Sequence, residues 1–120
     1  MMKSLDNLDV HTERIENIAV MRVEGALTSF THDKFLDEVK FANRKGGLII
    51  DMEDLLVVSS TGIEAMRKMV DLSYVSGNKI VLLNLSSHVK QVLSMMGYLK
   101  IFTIAPNEEL AMKMASKSGK

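Results

Sequence analysis

The sequence predicts an α/β domain built on a mostly parallel sheet, and three observations lead to this fold class. Strand-forming and helical segments alternate after an opening pair of strands, in the order β-β-α-β-α-β-α-β-α. The apolar runs at residues 48–50 and 80–83 are short and continuous, as is typical of strands covered on both faces. Helical patterns between the strands suit right-handed crossovers. We therefore expect a five-stranded sheet with an antiparallel N-terminal strand and four helices, in one domain over residues 1–120.

Composition supports one globular domain and excludes several classes of function. Hydrophobic residues make up 47% and charged residues 25% of the 120 residues. The 15 basic and 15 acidic side chains cancel, so no overall field attracts nucleic acid or anionic lipid. The chain has no cysteine, which excludes disulfides and thiolate metal sites. With neither a signal-peptide pattern nor a membrane-length apolar run, we expect a cytoplasmic protein without membrane insertion.

The N-terminal third predicts a hairpin and a first helix. Strand formers fill residues 8–15 and 18–24, and Glu16-Asn17 between them suggests a tight turn. A helix follows Gly25-Ala26-Leu27 and ends at Gly46-Gly47. Its candidate N-caps are Thr28, Ser29 and Thr31, and its core positions are Phe35, Val39 and Ala42.

The middle of the chain predicts a buried strand and a second helix. Residues 48–50 form the strand, which Asp51 is expected to end. The helix spans residues 60–75 and stops at Gly77-Asn78. Its expected apolar stripe is Ile63, Met66, Val70 and Tyr74.

The last third repeats this alternation. Residues 80–83 form a strand, and a helix capped by Ser86 or Ser87 runs to Gly97. Residues 101–104 form a short strand, and Asn107 caps a terminal helix. The apolar positions of these two helices are Val89, Val92, Leu93 and Met96, then Leu110, Ala111 and Met114. We expect residues 1–7 and 117–120 to be flexible ends.

The turn after Val57-Val58 is the most informative feature of the chain. There an apolar run stops at Ser59, Ser60 and Thr61, and a helical pattern begins. Hydroxyls are thus placed at the positive end of a helix, where unpaired N–H groups favour negative charge such as phosphate. The same turn lies at the carboxyl end of a strand, where sites gather in such sheets. The alternative is that these hydroxyls simply cap the helix.

Three sequence features together carry a family resemblance: Gly25-x-Leu27, the Ser-Ser-Thr-Gly-Ile turn at 59–63, and a pattern over residues 85–102. That last pattern is Leu85-Ser86-x-x-Val89-x-x-x-Leu93-x-x-x-Gly97-x-x-x-Ile101-Phe102. The chain resembles the STAS family of bacterial anti-sigma factor antagonists over nearly its whole length. The resemblance implies a protein without catalytic activity whose unphosphorylated form binds an anti-sigma factor. That partner would be a serine/threonine kinase of the histidine-kinase-like ATPase type, and phosphorylation at the start of the second helix would end binding.

The resemblance also implies which residues act. The family turn is commonly Asp-Ser-Ser-Gly, with the acceptor immediately before the glycine, so Thr61 is the expected phosphorylation site and Ser60 the alternative. Ser59, Ser60, Thr61, Gly62 and Glu64 form the expected partner-binding set. Ser59 stands where the family usually has aspartate, which removes a like charge beside a phosphate. Glu64 replaces a common glycine on roughly the face of Thr61, so its carboxylate should disfavour a phosphate there.

Two other classes of function stay open. The chain could be a constitutive scaffold subunit of a larger assembly, such as the small cytoplasmic STAS subunit of a lipid transporter. An enzyme is disfavoured because the chain lacks the G-x-S-x-G elbow, and without a nucleotide-binding loop we expect no cofactor. His11, His32 and His88 are too scattered for a metal motif.

Ten methionines are many for this length, and flexible filling of the core is their ordinary role. Met69, Met95 and Met96 cannot all face inward together with Met66, Val92 and Leu93. Some of them could therefore form an apolar patch for a partner or for a second copy of the chain, as in a homodimer.

Overall fold

A computed structural model describes residues 7–116, so most of the two expected flexible ends lies outside the described residues. The strands are β1 (Leu8–Ile15), β2 (Ile18–Leu27), β3 (Gly47–Val58), β4 (Ile80–Leu83) and β5 (Thr103–Ala105). The helices are α1 (His32–Arg44), α2 (Ser60–Ser76), α3 (Ser87–Met95) and α4 (Glu108–Ser116), with a 3-10 turn at Leu99–Ile101.

The five strands form one sheet in the order β1-β2-β3-β4-β5. Strand β1 pairs antiparallel to β2, and the other three pairings are parallel. The main core holds buried side chains of α1, α2 and α3, whereas α4 packs with the opposite face of the sheet. The predicted fold class and element order are confirmed.

The predicted hairpin is present, with β1 at its expected bounds, whereas β2 continues to Leu27 instead of ending at residue 24. Ile15 pairs with Ile18, which leaves Glu16 and Asn17 as a two-residue turn. Glu16 takes a positive φ of 60°, in the left-handed region that such tight hairpin turns use.

Several helix ends are also as predicted. Ser86 caps α3 by accepting from the Val89 N–H at 3.1 Å. Asn107 caps α4 by accepting from the Leu110 N–H at 2.9 Å. Gly77 ends α2 in the left-handed conformation, with φ 76°.

Strand β3 is longer than predicted, because Asp51 does not end it. The buried Asp51 carboxylate accepts hydrogen bonds from the Glu53 N–H and the Asn84 amide, each at 3.0 Å. Arg22 Nε lies 3.7 Å from the same carboxylate. With its charge compensated, an aspartate fits inside a strand. Beyond it the strand pairs with β2 alone and bulges twice against it.

The apolar stripe of α2 differs from the prediction at its C-terminal end. Ile63 and Met66 are buried as expected, but Tyr74 is 83% exposed and Met69 is buried instead. The buried face of α2 therefore includes Ala65 and Met69 and does not extend to Tyr74.

Two elements near the C-terminus also differ. The last strand was expected at residues 101–104, but Leu99–Ile101 forms a 3-10 turn and the strand begins at Thr103. In α4 Ala111 is buried as predicted, but the other buried position is Ala115 rather than Leu110 or Met114.

The methionine prediction is confirmed in part. Met69 joins the core, whereas Met95 is 80% and Met96 40% exposed beside the end of α3.

Candidate functional site

The candidate site is the N-terminus of α2, where Ser59 is the N-cap residue. Ser59 Oγ accepts a hydrogen bond from the Gly62 N–H at 3.2 Å, and its carbonyl oxygen accepts from the Ile63 N–H at 2.9 Å. Its backbone is extended, with φ −83° and ψ 174°, as is usual at an N-cap. The capping role that could have belonged to any of the three hydroxyls therefore belongs to Ser59.

We expect Ser59→Ala to lower the free energy of unfolding by about 1 kcal/mol, because the Gly62 N–H loses its acceptor. Ser59→Asp should restore most of this loss, since aspartate caps as well as serine does. Urea denaturation of the three proteins measures the effect. Equal midpoints for wild type and Ser59→Ala would show that the cap contributes nothing.

The other two hydroxyls of the turn are left available. Ser60 is exposed and Thr61 is half-buried. Within residues 7–116, neither hydroxyl takes part in a hydrogen bond. Both lie in the first turn of a 17-residue helix, where unpaired backbone N–H groups concentrate positive potential. A free hydroxyl at such a position is suited to carrying a phosphate.

Gly62 brings the turn against the end of β2. A Cβ atom at Gly62 would lie 2.2 Å from the carbonyl oxygen of Leu27 and 3.1 Å from its Cγ. The same carbonyl oxygen accepts from the Ser59 N–H at 3.0 Å. The helix start is therefore held directly on the sheet, and only glycine fits at this contact.

The loop after β2 flanks the site, and its threonines do not cap α1 as predicted. Thr31 occupies the N-cap position, but its side chain makes no cap hydrogen bond. Instead, its hydroxyl donates to the Ala26 carbonyl at 2.8 Å and accepts from the Thr28 N–H at 2.9 Å. Thr28 Oγ1 accepts from the Phe30 N–H at 3.1 Å. These hydrogen bonds fix the conformation of the loop. The Phe30 side chain within it is 76% exposed.

Apolar side chains are also exposed on the strand that leads into the site. Leu56 is 67% and Val57 39% exposed, just before the turn. The second bulge of β3 falls here, because Gly25 pairs with Leu55 whereas the next residue, Ala26, pairs with Val57. We name Phe30, Leu56 and Val57 the apolar rim.

Glu64 has a partner that the sequence did not reveal. The Tyr98 hydroxyl donates a hydrogen bond to Glu64 Oε2 at 3.0 Å, across 34 residues of sequence. Arg67 Nε lies 3.9 Å from Glu64 Oε1, while its guanidinium binds Asp71 at 3.1 Å. The hydrogen bond to Glu64 raises the pKa of Tyr98 above its usual value of 10.0. No local sequence pattern indicates a contact such as this one between elements far apart in the chain.

Two other kinds of feature are not found in the part of the chain that the structure describes. No three histidine or carboxylate side chains lie close enough together to hold a metal ion. Among the helices of residues 7–116, none has the length and apolar character needed to cross a membrane.

The fold and the capped turn define a small α/β domain in which the N-terminus of α2 lies at the carboxyl ends of β2 and β3. The family model of the STAS domain matches residues 9–111. The chain therefore belongs to the STAS domain family. A comparison with curated protein sequences finds no match.

Solved structures share this fold at low sequence identity. An anti-sigma factor antagonist from Mycobacterium paratuberculosis is similar, with a TM-score of 0.79 and 15% identity over 97% of this chain and 100% of that one. The phosphorylated Bacillus cell fate determinant SpoIIAA has a TM-score of 0.65 and 18% identity, over 88% and 99% of the two chains. Part of the murine anion transporter Slc26a9 is also similar, with a TM-score of 0.71 and 21% identity over 86% of this chain and 18% of the transporter.

Proposed function

We propose that this protein is an anti-sigma factor antagonist whose binding to its partner is switched off by phosphorylation of Thr61. One observation carries the proposal. Because Ser59 caps α2, the Thr61 hydroxyl is left without a hydrogen-bond partner among the described residues, at the positive end of the helix. Ser60 has the same freedom and is the alternative acceptor. Thr61 is preferred because it immediately precedes Gly62, as the family acceptor does.

The surroundings of the turn support a protein partner. The apolar rim exposes one aromatic and two aliphatic side chains on the segments that lead into and flank the turn. Exposed apolar side chains beside polar groups are typical of interaction sites. The partner-binding set is Ser59, Ser60, Thr61, Gly62 and Glu64, extended by this rim. Similarity to anti-sigma factor antagonists favours an anti-sigma factor as the partner.

The partner we propose is a serine/threonine kinase of the histidine-kinase-like ATPase type. It would transfer the γ-phosphoryl group of ATP to Thr61. A bond forms between Thr61 Oγ1 and the γ-phosphorus, and the bond from the γ-phosphorus to the β,γ-bridging oxygen breaks, so that ADP leaves. The hydroxyl proton leaves to a base of the kinase. The antagonist itself supplies only the acceptor hydroxyl and is not an enzyme. We propose that the two proteins bind each other in the cytoplasm, without nucleic acid and without insertion into a membrane.

A second candidate is a constitutive scaffold subunit of a larger assembly. The similarity to part of an anion transporter favours it, because there the same fold belongs to a membrane protein. In that case the α2 turn would be an interface without a switch.

Partner capture with and without ATP distinguishes the two candidates. We expect immobilised wild-type protein to retain a histidine-kinase-like ATPase identified by mass spectrometry, and ATP to release it. Thr61→Ala should retain the same ATPase but not release it, because the acceptor hydroxyl is absent. Recovery of membrane transport proteins by both variants, with or without ATP, would contradict the switch and support the scaffold.

A further inference from the structure

The hydrogen bond between Tyr98 and Glu64 joins the helix of the proposed switch to a segment 34 residues away in the sequence. Glu64 lies on α2 three residues after Thr61, so the two side chains are neighbours on the helix surface. Tyr98 lies in the connection between α3 and β5. The 3.0 Å bond is the one hydrogen bond to the Glu64 carboxylate found within residues 7–116.

Tyr98 is well suited to hold that carboxylate, because its own position is fixed. Its N–H donates to the Leu93 carbonyl at 2.8 Å, and its carbonyl accepts from the Ile101 N–H at 3.1 Å. Gly97, with φ 75°, turns the chain just before it. The tyrosine also packs against the main core. Placing the hydroxyl therefore costs little additional side-chain entropy.

The Arg67 guanidinium cannot hold Glu64 in the same way. Its closer ion pair is with Asp71 at 3.1 Å, whereas Glu64 lies 3.9 Å away. All three of these side chains are partly solvated, so the attraction of Arg67 for Glu64 is weak. Without the tyrosine hydroxyl, the Glu64 carboxylate would be free to take other rotamers.

We propose that Tyr98 is a positioning residue for the switch: its hydroxyl holds the Glu64 carboxylate toward the α3–β5 connection and away from a phosphate on Thr61. The inference rests on the proposed function in taking Thr61 as the phosphorylated residue. Glu64 then opposes a phosphate on Thr61 less than its position three residues along the helix would predict. Glu64 and Tyr98 then act as a pair. Removing the Tyr98 hydroxyl should affect the phosphate only when Glu64 carries its carboxylate.

The test measures the pKa of the phosphate directly and needs no kinase. Protein carrying phosphothreonine at position 61 is made by genetic encoding and titrated by 31P NMR at low salt. A protein phosphate has its second pKa near 6, and a nearby carboxylate raises it. We expect Tyr98→Phe to raise the phosphate pKa by about 0.3 units, because Glu64 is released toward Thr61. In a Glu64→Gln background, Tyr98→Phe should change nothing.

A second measurement checks the hydrogen bond itself. The chain has two tyrosines, so a Tyr74→Phe background leaves Tyr98 as the one that titrates. Glu64→Gln should lower the pKa of Tyr98 toward its usual value, since Glu64 is the main cause of the upward shift.

Two results would overturn the inference. One is a phosphate pKa that Tyr98→Phe leaves unchanged, or that it shifts equally with and without the Glu64 carboxylate. The other is a Tyr98 pKa that Glu64→Gln does not lower. A kinase that fails to modify Thr61 would instead contradict the proposed function, and it would leave these two titrations unaffected.

Discussion

Thr61→Glu is expected to weaken partner binding strongly while the protein stays folded. The substitution adds bulk and one negative charge at the centre of the proposed interface. A charge left unpaired in an interface, or placed against a like charge, costs several kcal/mol. We therefore expect Kd to rise on the order of 100-fold. At the same time a carboxylate in the first turn of a helix stabilises it by about 0.3–1 kcal/mol, so the melting temperature should not fall.

Calorimetric titration of the partner, beside thermal unfolding, measures both effects. Thr61→Ala is the control for losing the hydroxyl, and Ser60→Glu is the matched control that puts the same charge at the exposed neighbouring position. If Thr61 is the switch residue, Thr61→Glu should lose more affinity for the partner than Thr61→Ala or Ser60→Glu. Equal affinity for all four proteins would place the interface elsewhere, and a parallel loss of affinity and melting temperature would make Thr61 a structural residue.

Gly62→Ala should destabilise the protein, although alanine normally improves a helix. In an exposed helix interior the change would gain up to about 1 kcal/mol. Here the new Cβ would lie 2.2 Å from the Leu27 carbonyl oxygen, a backbone atom that cannot rotate away. The start of α2 must shift off β2, and overpacking of this kind typically costs about 1–3 kcal/mol. We expect a net loss of about 2 kcal/mol and weaker partner binding, because the turn moves with the helix.

The urea midpoint of Gly62→Ala against wild type gives the sign of this effect. Lys68→Ala is a suitable control, since Lys68 is exposed on the same helix and its substitution should be nearly neutral. A variant as stable as wild type, or more stable, would show that α2 can move away from the sheet without cost.

Much of the fold could be predicted because its signals are local. The bounds of β1 and β4 were obtained from runs of strand formers. The stops of α2 and α3 followed from Gly77 and Gly97, both of which take a positive φ. The length of β3 could not be predicted, since the Asn84 amide and Arg22 that accommodate Asp51 come from other strands and loops.

The position of the turn could be predicted, but its hydrogen bonds could not. An apolar run followed by hydroxyls and a helical pattern located the turn. Three consecutive hydroxyls all satisfy the same capping preference, so the sequence could not assign the cap to Ser59. The structure makes that assignment. The Tyr98 contact with Glu64 depends on how α3 and the 3-10 turn pack, which no local pattern encodes.

Phosphopeptide mapping tests the central claim most directly. The kinase that the wild-type protein captures is incubated with ATP and either wild type or Thr61→Ala, and the products are digested and sequenced by mass spectrometry. We predict one phosphate per wild-type chain, located on Thr61, and none on Thr61→Ala. A phosphate confined to Ser60, or full modification of Thr61→Ala, would contradict the assignment of Thr61 as the switch.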